Sequence, residues 1–349
     1  MKVSLQLLPE QPAEELLAAI ELADRRGYYA CYSADETYHK DPWLLFAAAA
    51  GRTERIRLGP CAAPIFLRDP TLVAQAAATL DELSGGRAEV VFGMGNVALL
   101  EQCGIEWRGT RPMDRLREAH ALMRMLLDEG KADFAGDFYR VAGVFTAARP
   151  VRRVPLMLGA MGGPRSMRLA GEIADGMHTA AAYSPAAIDY AVRETLRGAE
   201  AAGRNRSELD IGDSLLGAIA ADAETARRAG RVLAAFYVPS MPEPLLARHG
   251  IAAKAVQPVN AAFARGDVDA ALAAAPDELL DRLVVAGSPD DWCERLARDV
   301  LGRGLDHLLV SFADPFTVHR WAGVTLDGLP TLAEQIALVA DHVVPALDV

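Results

Sequence analysis

The sequence has few cysteines and no long apolar run, and both features limit the class of protein it can be. Its 349 residues contain four cysteines without a CxxC pair, which indicates reduced thiols rather than a disulfide framework. No apolar stretch approaches the roughly 18–20 residues of a membrane span. The N-terminus reaches a proline and an acidic residue too early for a signal peptide. We therefore expect a cytoplasmic protein without a membrane anchor.

Basic residues are also fewer than acidic ones. Lys and Arg number 36 against 47 Asp and Glu, a formal net charge of −11 that argues against nucleic acid and anionic membranes as partners. The seven histidines show no HxxxH motif and no metal-ligand spacing with acids, so we expect no metal site. Neither GxSxG nor GxxxxGK[ST] occurs, which leaves hydrolase and kinase functions without support. A phosphorylated small molecule remains open as a ligand.

The apolar pattern alternates between strand-like runs and amphipathic helices almost throughout. Hydrophobic residues make up 51% of the chain and charges are interspersed, so a large core is expected. Seven or eight β–α steps without reordering predict an α/β fold, a (β/α)8 TIM barrel, over a single domain of residues 1–349. Two stretches interrupt the rhythm, near residues 130–150 and 239–280, and are predicted to be insertions.

A doubly wound dinucleotide fold is the competing architecture. Residues 93–98, GMGNVA, follow a predicted strand and fit GxGxxA loosely, with Asp114 roughly twenty residues further on. That motif belongs at the first strand, however, and three β–α units precede it here. In a barrel the same turn lies at the C-terminal end of the fourth strand, on the face where barrel active sites form.

A second glycine-rich turn indicates a phosphate site. The apolar run Val154–Leu158 predicts a strand, the glycines of residues 159–163 end it, and Pro164 suits the first turn of a helix. The free N–H groups and dipole of such a helix start attract phosphate. Arg165 and Arg168 on the first turn would add to this attraction. A tight turn with no ligand is the alternative reading of the same glycines.

Several segments together resemble the bacterial-luciferase-like family of flavin and deazaflavin barrel enzymes. They are MKVSLQLLPEQP, LADRRGYYA, IRLGPCAAPIFLRDPTLVAQAAATLDELSGGRAEVVFGMGN, GIEW, RPMDRLREAHALMRMLL, PLMLGAMGGP with LAGEIADG, ARHGI and VVAGSPDDW. The closest resemblance is to the coenzyme F420 branch that includes methylenetetrahydromethanopterin reductase. It implies an oxidoreductase that transfers hydride, as an F420H2-dependent reductase, to a C=N or C=C bond of a small molecule or modified peptide. Relatives are often dimers, so a homodimer is compatible with it.

The resemblance also implies a cofactor site and a non-proline cis peptide between Cys61 and Ala62. The implied cofactor-binding residues are Asp35, Cys61, Ala62, Gly93, Met94, Gly95, Asn96, Gly159, Ala160, Met161, Gly162, Gly163, Met177 and His178. They lie at the ends of the second to fourth strands, in the phosphate loop after the fifth, and, for Met177 and His178, on the strand that follows this loop.

Hydride transfer requires a second group that gives or takes a proton, and Glu36 is the preferred candidate, with Asp35 and His39 beside it. The family often has histidine at the position of Glu36, and some members have a catalytic glutamate at that of Asn96. Trp43 is interpreted either as a ligand-stacking or as a core residue. Two other functions stay open: an FMN-dependent monooxygenase on the same barrel, and a non-catalytic flavin-binding protein.

Overall fold

The chain forms a closed barrel of parallel strands, as the alternating pattern predicts. In the computed structural model, which describes residues 1–180 and 183–347, eight of the strands are neighbours in the order β1-β2-β3-β4-β7-β8-β9-β11, and β11 pairs with β1 to close the barrel. The strands are β1 (Lys2–Leu7), β2 (Ala30–Ser33), β3 (Arg57–Pro64), β4 (Val90–Gly93), β5 (Lys131–Ala135), β6 (Arg140–Phe145), β7 (Leu156–Ala160), β8 (Gly176–Ala180), β9 (Asp210–Ile219), β10 (Val284–Gly287) and β11 (His307–Phe312).

Helices cover the outside of the barrel, since parallel strands are buried on both faces. They are α1 (Ala13–Arg25), α2 (Pro42–Ala50), α3 (Pro70–Ser84), α4 (Val97–Gln102), α5 (Pro112–Glu129), α6 (Pro164–Ile173), α7 (Pro185–Ala201), α8 (Ala223–Tyr237), α9 (Glu243–Arg248), α10 (Ala253–Ala264), α11 (Val268–Ala274), α12 (Asp277–Leu283), α13 (Pro289–Asp299), α14 (Pro315–Ala322), α15 (Leu332–Leu338) and α16 (Val344–Leu347). No helix among the described residues is both long and apolar enough to cross a bilayer.

Two cores hold the barrel together. A small cluster fills the interior with Tyr32, Val91, Met157 and Leu309. A much larger cluster lies between the strands and the surrounding helices. Successive strand residues alternate between these two environments, so neighbours in sequence can have unrelated roles.

Both predicted insertions have defined structures. The first is the antiparallel hairpin β5–β6, which forms a separate two-stranded sheet. The second contains α9 to α12 with their own apolar core. Strand β10 follows it and was not predicted. It pairs with the C-terminal half of β9, beyond the part of β9 that pairs with β8.

Helices α6 and α7 pack unusually closely through two glycines. A Cβ atom on Gly171 would lie 1.9 Å from the Thr195 carbonyl oxygen, and one on Gly198 would lie 1.9 Å from that of Arg168. We expect Gly171→Ala to lower the free energy of unfolding by about 3 kcal/mol, because backbone atoms must separate to admit the methyl group. Urea denaturation measures the change. Gly51→Ala is the matched control, since its Cβ would meet nothing within 4 Å; a loss of the same size there would contradict the packing argument.

Candidate active site

The C-terminal ends of β3, β4 and β7 form a shallow cradle built from small residues. The Cys61–Ala62 peptide is cis, as the family resemblance implies. A Cβ on Gly159 would lie 3.3 Å from the Cβ of Ala62, and one on Gly93 would lie 3.5 Å from the same atom. Small residues therefore bring the ends of these three strands into close contact, and a larger side chain at Gly93 or Gly159 would press on Ala62.

The turn after β4 is fixed by a glycine and an asparagine. Gly95 has a φ of +105°, and a Cβ there would lie 2.8 Å from that of Pro64, so only glycine fits. Asn96 caps α4 by accepting a hydrogen bond from the Ala98 N–H at 3.0 Å. Its side-chain amide donates to Oε2 of Glu36 at 3.4 Å. The asparagine therefore connects the fourth-strand turn to the candidate proton donor. Met94 in this turn is half-buried.

Glu36 is the carboxyl group that the site perturbs most clearly. Burial raises its pKa, and the hydrogen bond from Asn96 and the charge of His39 reduce that rise. The phenol of Tyr237 belongs to the same environment, because burial and the charge of Glu36 raise its pKa to about 12. A carboxyl group that keeps its proton to a higher pH is suited to donate it.

Asp35 is placed differently, although it precedes Glu36. Its carboxylate accepts a hydrogen bond from the Trp43 indole N–H at 2.9 Å and pairs with the Arg68 guanidinium, also at 2.9 Å. Trp43 is 7% exposed, which favours its interpretation as a core residue. Since both partners stabilise the charged carboxylate, Asp35 fits a role in fixing the loop better than proton transfer.

His39 lies beside a small cavity together with Glu10. Its Nδ1 is 3.5 Å from Oε1 of Glu10, whose other oxygen accepts from the Trp321 indole N–H at 3.3 Å. The cavity has a volume of about 230 Å³ and is lined by Pro9, Glu10, Tyr38, His39, Lys40 and Arg320. This polar cavity is the candidate substrate entrance next to Glu36.

The loop after β7 retains the features of a phosphate site. Helix α6 begins at Pro164, and its capping residue Gly163 offers no side-chain acceptor to the first N–H groups. Gly162 has a φ of +82° and accepts a hydrogen bond at its carbonyl from the guanidinium of Arg248. Ala160 is buried and Met161 is 51% exposed. The free N–H groups at the start of α6 suit an anionic group.

Some basic residues lie away from this loop. Arg168 forms an ion pair at 2.7 Å with Glu194, which it shares with two other arginines of α7, so its side chain is directed toward α7. Arg149, Arg152 and Arg153 precede β7 and therefore lie at the opposite end of the barrel.

Met177 and His178 lie on β8 beside the strand that leads into the phosphate loop, where they are the register partners of Leu158 and Gly159. Met177 is fully buried in the core between strands and helices. His178 points into the barrel interior, where its ring lies 5.5 Å from that of Tyr32 and 5.0 Å from that of His307. Strand alternation explains why the two residues separate.

Sequence reasoning missed Tyr237, Arg248 and Glu10 as site residues. Arg248 and Glu10 lie in the segments ARHGI and LLPEQP, which carry the family resemblance, so a signal existed for both. Tyr237 closes α8 just before the second insertion, and no local pattern marks it.

A (β/α)8 barrel with small residues at its strand ends, a half-buried carboxyl group and a helix start without a side-chain cap is suited to bind a phosphorylated cofactor. A family model described as luciferase-like monooxygenase matches residues 1–307. The chain belongs to the luciferase-like family.

Relatives with established names are F420-dependent enzymes. The chain is 30% identical over 300 residues to 5,10-methylenetetrahydromethanopterin reductase of Archaeoglobus fulgidus, covering 85% of this chain and 89% of the relative. It is 31% identical to the F420-dependent glucose-6-phosphate dehydrogenase of Nocardia farcinica, covering 84% and 87%. The solved structure of the coenzyme F420-dependent tetrahydromethanopterin reductase of Methanopyrus kandleri matches with a TM-score of 0.89 at 25% identity, over 99% of both chains.

Proposed function

We propose that this chain is a coenzyme F420-dependent reductase that delivers hydride to a C=N or C=C bond of a small molecule or modified peptide. The observation that carries this proposal is the pairing of Glu36, a carboxyl with a raised pKa, with the cradle at the barrel mouth. The similarity to F420-dependent reductases and dehydrogenases supports the cofactor. We also propose that it acts in the cytoplasm as one barrel domain, and a homodimer is compatible with this function.

The residues present fit the cofactor in two places. Ala62, Gly93 and Gly159 would present a surface of small residues to a flat ring at the ends of β3, β4 and β7. The start of α6 offers its free N–H groups to the phosphate, and Gly162 and Gly163 keep side chains out of the way. When bound, reduced F420 would supply the hydride to an electrophilic carbon.

The chain's own part in the reaction is to orient and to move a proton. Glu36 would release the proton from its carboxyl oxygen to the substrate atom next to the carbon that receives the hydride. Asn96 holds Oε2 of Glu36 through its amide. Partial burial of Glu36 raises its pKa, which favours the protonated form that this step requires.

Equilibrium binding of F420 and FMN to the apo-protein, measured side by side by fluorescence, tests the cofactor. We expect at least about tenfold tighter binding of F420, a difference of about 1.4 kcal/mol. Turnover of F420H2 with a panel of C=N and C=C acceptors, followed at the cofactor's absorption band, then tests the reaction. Binding of F420 without any turnover would favour a non-catalytic flavin-binding protein.

An FMN-dependent monooxygenase is the second candidate, because the matching family model carries that description. Both cofactors bear a phosphate group, so the start of α6 suits either. Oxygen consumption separates the two functions, since a flavin monooxygenase uses oxygen and reduced F420 reacts with it poorly. Preference for FMN together with oxygen uptake would overturn the reductase proposal.

A further inference from the structure

Buried polar atoms without hydrogen-bond partners gather at one point inside the barrel. Among the described residues, both ring nitrogens of His178, Nδ1 of His307 and Oδ1 of Asp210 lack such a partner. His178 is 2% exposed and His307 is fully buried. Because buried polar groups are nearly always satisfied, such a group of atoms indicates a missing occupant.

These residues line the barrel interior, and His178 is the register partner of the cradle residue Gly159. Asp210 and His307 are the first residues of β9 and β11, and His178 is the third residue of β8. Strands β8, β9 and β11 are consecutive neighbours in the barrel. Asp210 and His307 therefore lie at the N-terminal end of the interior, whereas His178 reaches the level of the cradle residue Gly159.

We propose that His178, Asp210 and His307 bind one divalent transition-metal ion such as Zn²⁺, which joins β8, β9 and β11. One ligand atom from each residue lies within 4.8 Å of the other two. Two imidazole nitrogens and one carboxylate oxygen form a ligand set that suits zinc and its neighbours in the first transition row. A water molecule can complete the tetrahedron.

The surrounding residues hold the two imidazoles in place for this role. Nε2 of His307 is 2.5 Å from Oγ of Ser4, which also accepts the Ala30 N–H at 3.0 Å. That contact turns Nδ1 of His307 toward the cluster, as outer partners of metal-bound histidines do. Both ring nitrogens of the buried His178 lack a hydrogen-bond partner, so one of them can bind the ion.

Glycine makes space for the His178 ring. A Cβ on Gly212 would lie 2.7 Å from Cδ2 of His178 and 3.0 Å from its Nε2. Only glycine on β9 therefore allows the imidazole to stand at this position. This is a local condition for the cluster that the sequence spacing of the three ligands does not reveal.

The ammonium group of Lys2 opposes metal binding, because it already pairs with the Asp210 carboxylate. Its Nζ lies 3.0 Å from Oδ2 of Asp210, and Nδ1 of His307 lies 3.4 Å from the same oxygen without hydrogen-bond geometry. Oδ1 remains available to the metal, while the Lys2 charge repels it. The Lys2 side chain is 38% exposed and can move into solvent.

The metal has a structural role in this arrangement. Three neighbouring strands would be tied together where the barrel has polar side chains in place of an apolar core. Because the ion binds the folded chain and not the separated strands, it stabilises the fold according to its affinity and concentration.

Titration of the metal-stripped protein tests the proposal without any cofactor or substrate. We expect one Zn²⁺ per chain by calorimetry, a rise in the unfolding temperature, and visible d–d absorption when Co²⁺ is added instead. His178→Gln should weaken Zn²⁺ binding at least about a hundredfold. Lys2→Met should tighten it at least about threefold, because a repelling charge is removed.

His120→Gln is the matched control, since His120 is another half-buried histidine with an unpartnered Nε2, outside the cluster. Burial lowers its pKa to about 4 and its ring stacks on Phe92. Its substitution should change Zn²⁺ affinity less than about threefold.

If His178→Gln fails to fold, Asp210→Asn provides the second variant with the same expected loss of Zn²⁺ affinity. No stoichiometric binding by the parent chain, or equal binding by parent and His178→Gln, would overturn the proposal and leave a buried water as the occupant. Such a result would leave the F420 proposal untouched, because the two sites share no residue of the cradle.

Discussion

Glu36→Gln is expected to lower F420H2-dependent turnover at least about tenfold while F420 affinity changes less than about threefold. Glutamine keeps the size and the hydrogen bond with Asn96 but has no proton to donate at neutral pH. The cradle and the start of α6 are formed by other residues, so cofactor binding has no reason to change. Steady-state kinetics and fluorescence titration measure the two quantities separately.

The pH profile provides an independent check of this role. Since burial raises the pKa of Glu36, the protonated donor persists to a higher pH than for an ordinary carboxyl group. Turnover in the reductive direction should therefore fall as the pH rises through that pKa, because the donor form is lost. In Glu36→Gln this fall of turnover with rising pH should be absent. Glu106→Gln, at an exposed carboxylate, is the control and should keep the parent profile; an unchanged profile in Glu36→Gln would remove Glu36 from proton transfer.

The barrel could be predicted because its signals are local and repeated. Each strand is an apolar run, each helix has one apolar face, and their strict alternation admits few topologies. Strand β10 was not predicted, because its four residues, Val284–Gly287, follow a helix-rich insertion and do not alternate between apolar and polar residues. Pairing with only half of β9 is a tertiary property that a short apolar run does not reveal.

The site was predicted less completely than the fold, because its parts come together from distant segments. The glycine turns at 93–96 and 159–163 are visible locally, since glycine is needed for conformations such as that of Gly95. The meeting of His178, Asp210 and His307 is not visible, as more than 95 residues separate the last two. The spacing argument against a metal site considered histidines near one another in sequence, and barrel closure brings together residues that are not.

Asp35 and Glu36 differ at the candidate site because their carboxyl groups have different hydrogen-bond and ion-pair partners. Asp35 and Glu36 are consecutive acids with the same expected role, yet Arg68 and Trp43 occupy the carboxylate of Asp35. Glu36 is half-buried and receives one amide contact, from Asn96. These contacts fix the Asp35 carboxylate in the loop and leave that of Glu36 available for the proposed proton transfer. This difference depends on α2 and the β3–α3 loop and cannot be derived from the dipeptide itself.

Gly163→Asp is expected to weaken F420 binding between about tenfold and a hundredfold while leaving the fold intact or more stable. Gly163 caps α6 with a φ of −86°, and a Cβ there would meet only the Ser166 hydroxyl at 3.5 Å. Aspartate is a favourable capping residue, so helix stability should rise by several tenths of a kcal/mol. Its carboxylate would, however, take the N–H groups of α6 and repel an incoming phosphate.

Gly163→Asn separates charge from capping, since its side chain accepts the same N–H hydrogen bonds without a negative charge. We expect it to reduce F420 affinity less than Gly163→Asp by at least about fivefold, with a similar unfolding temperature. Raising the salt concentration should narrow the gap between the two variants, because the repulsion is screened. Equal loss in both would show that the side chain only occupies space, and unchanged affinity in Gly163→Asp would place the phosphate away from α6.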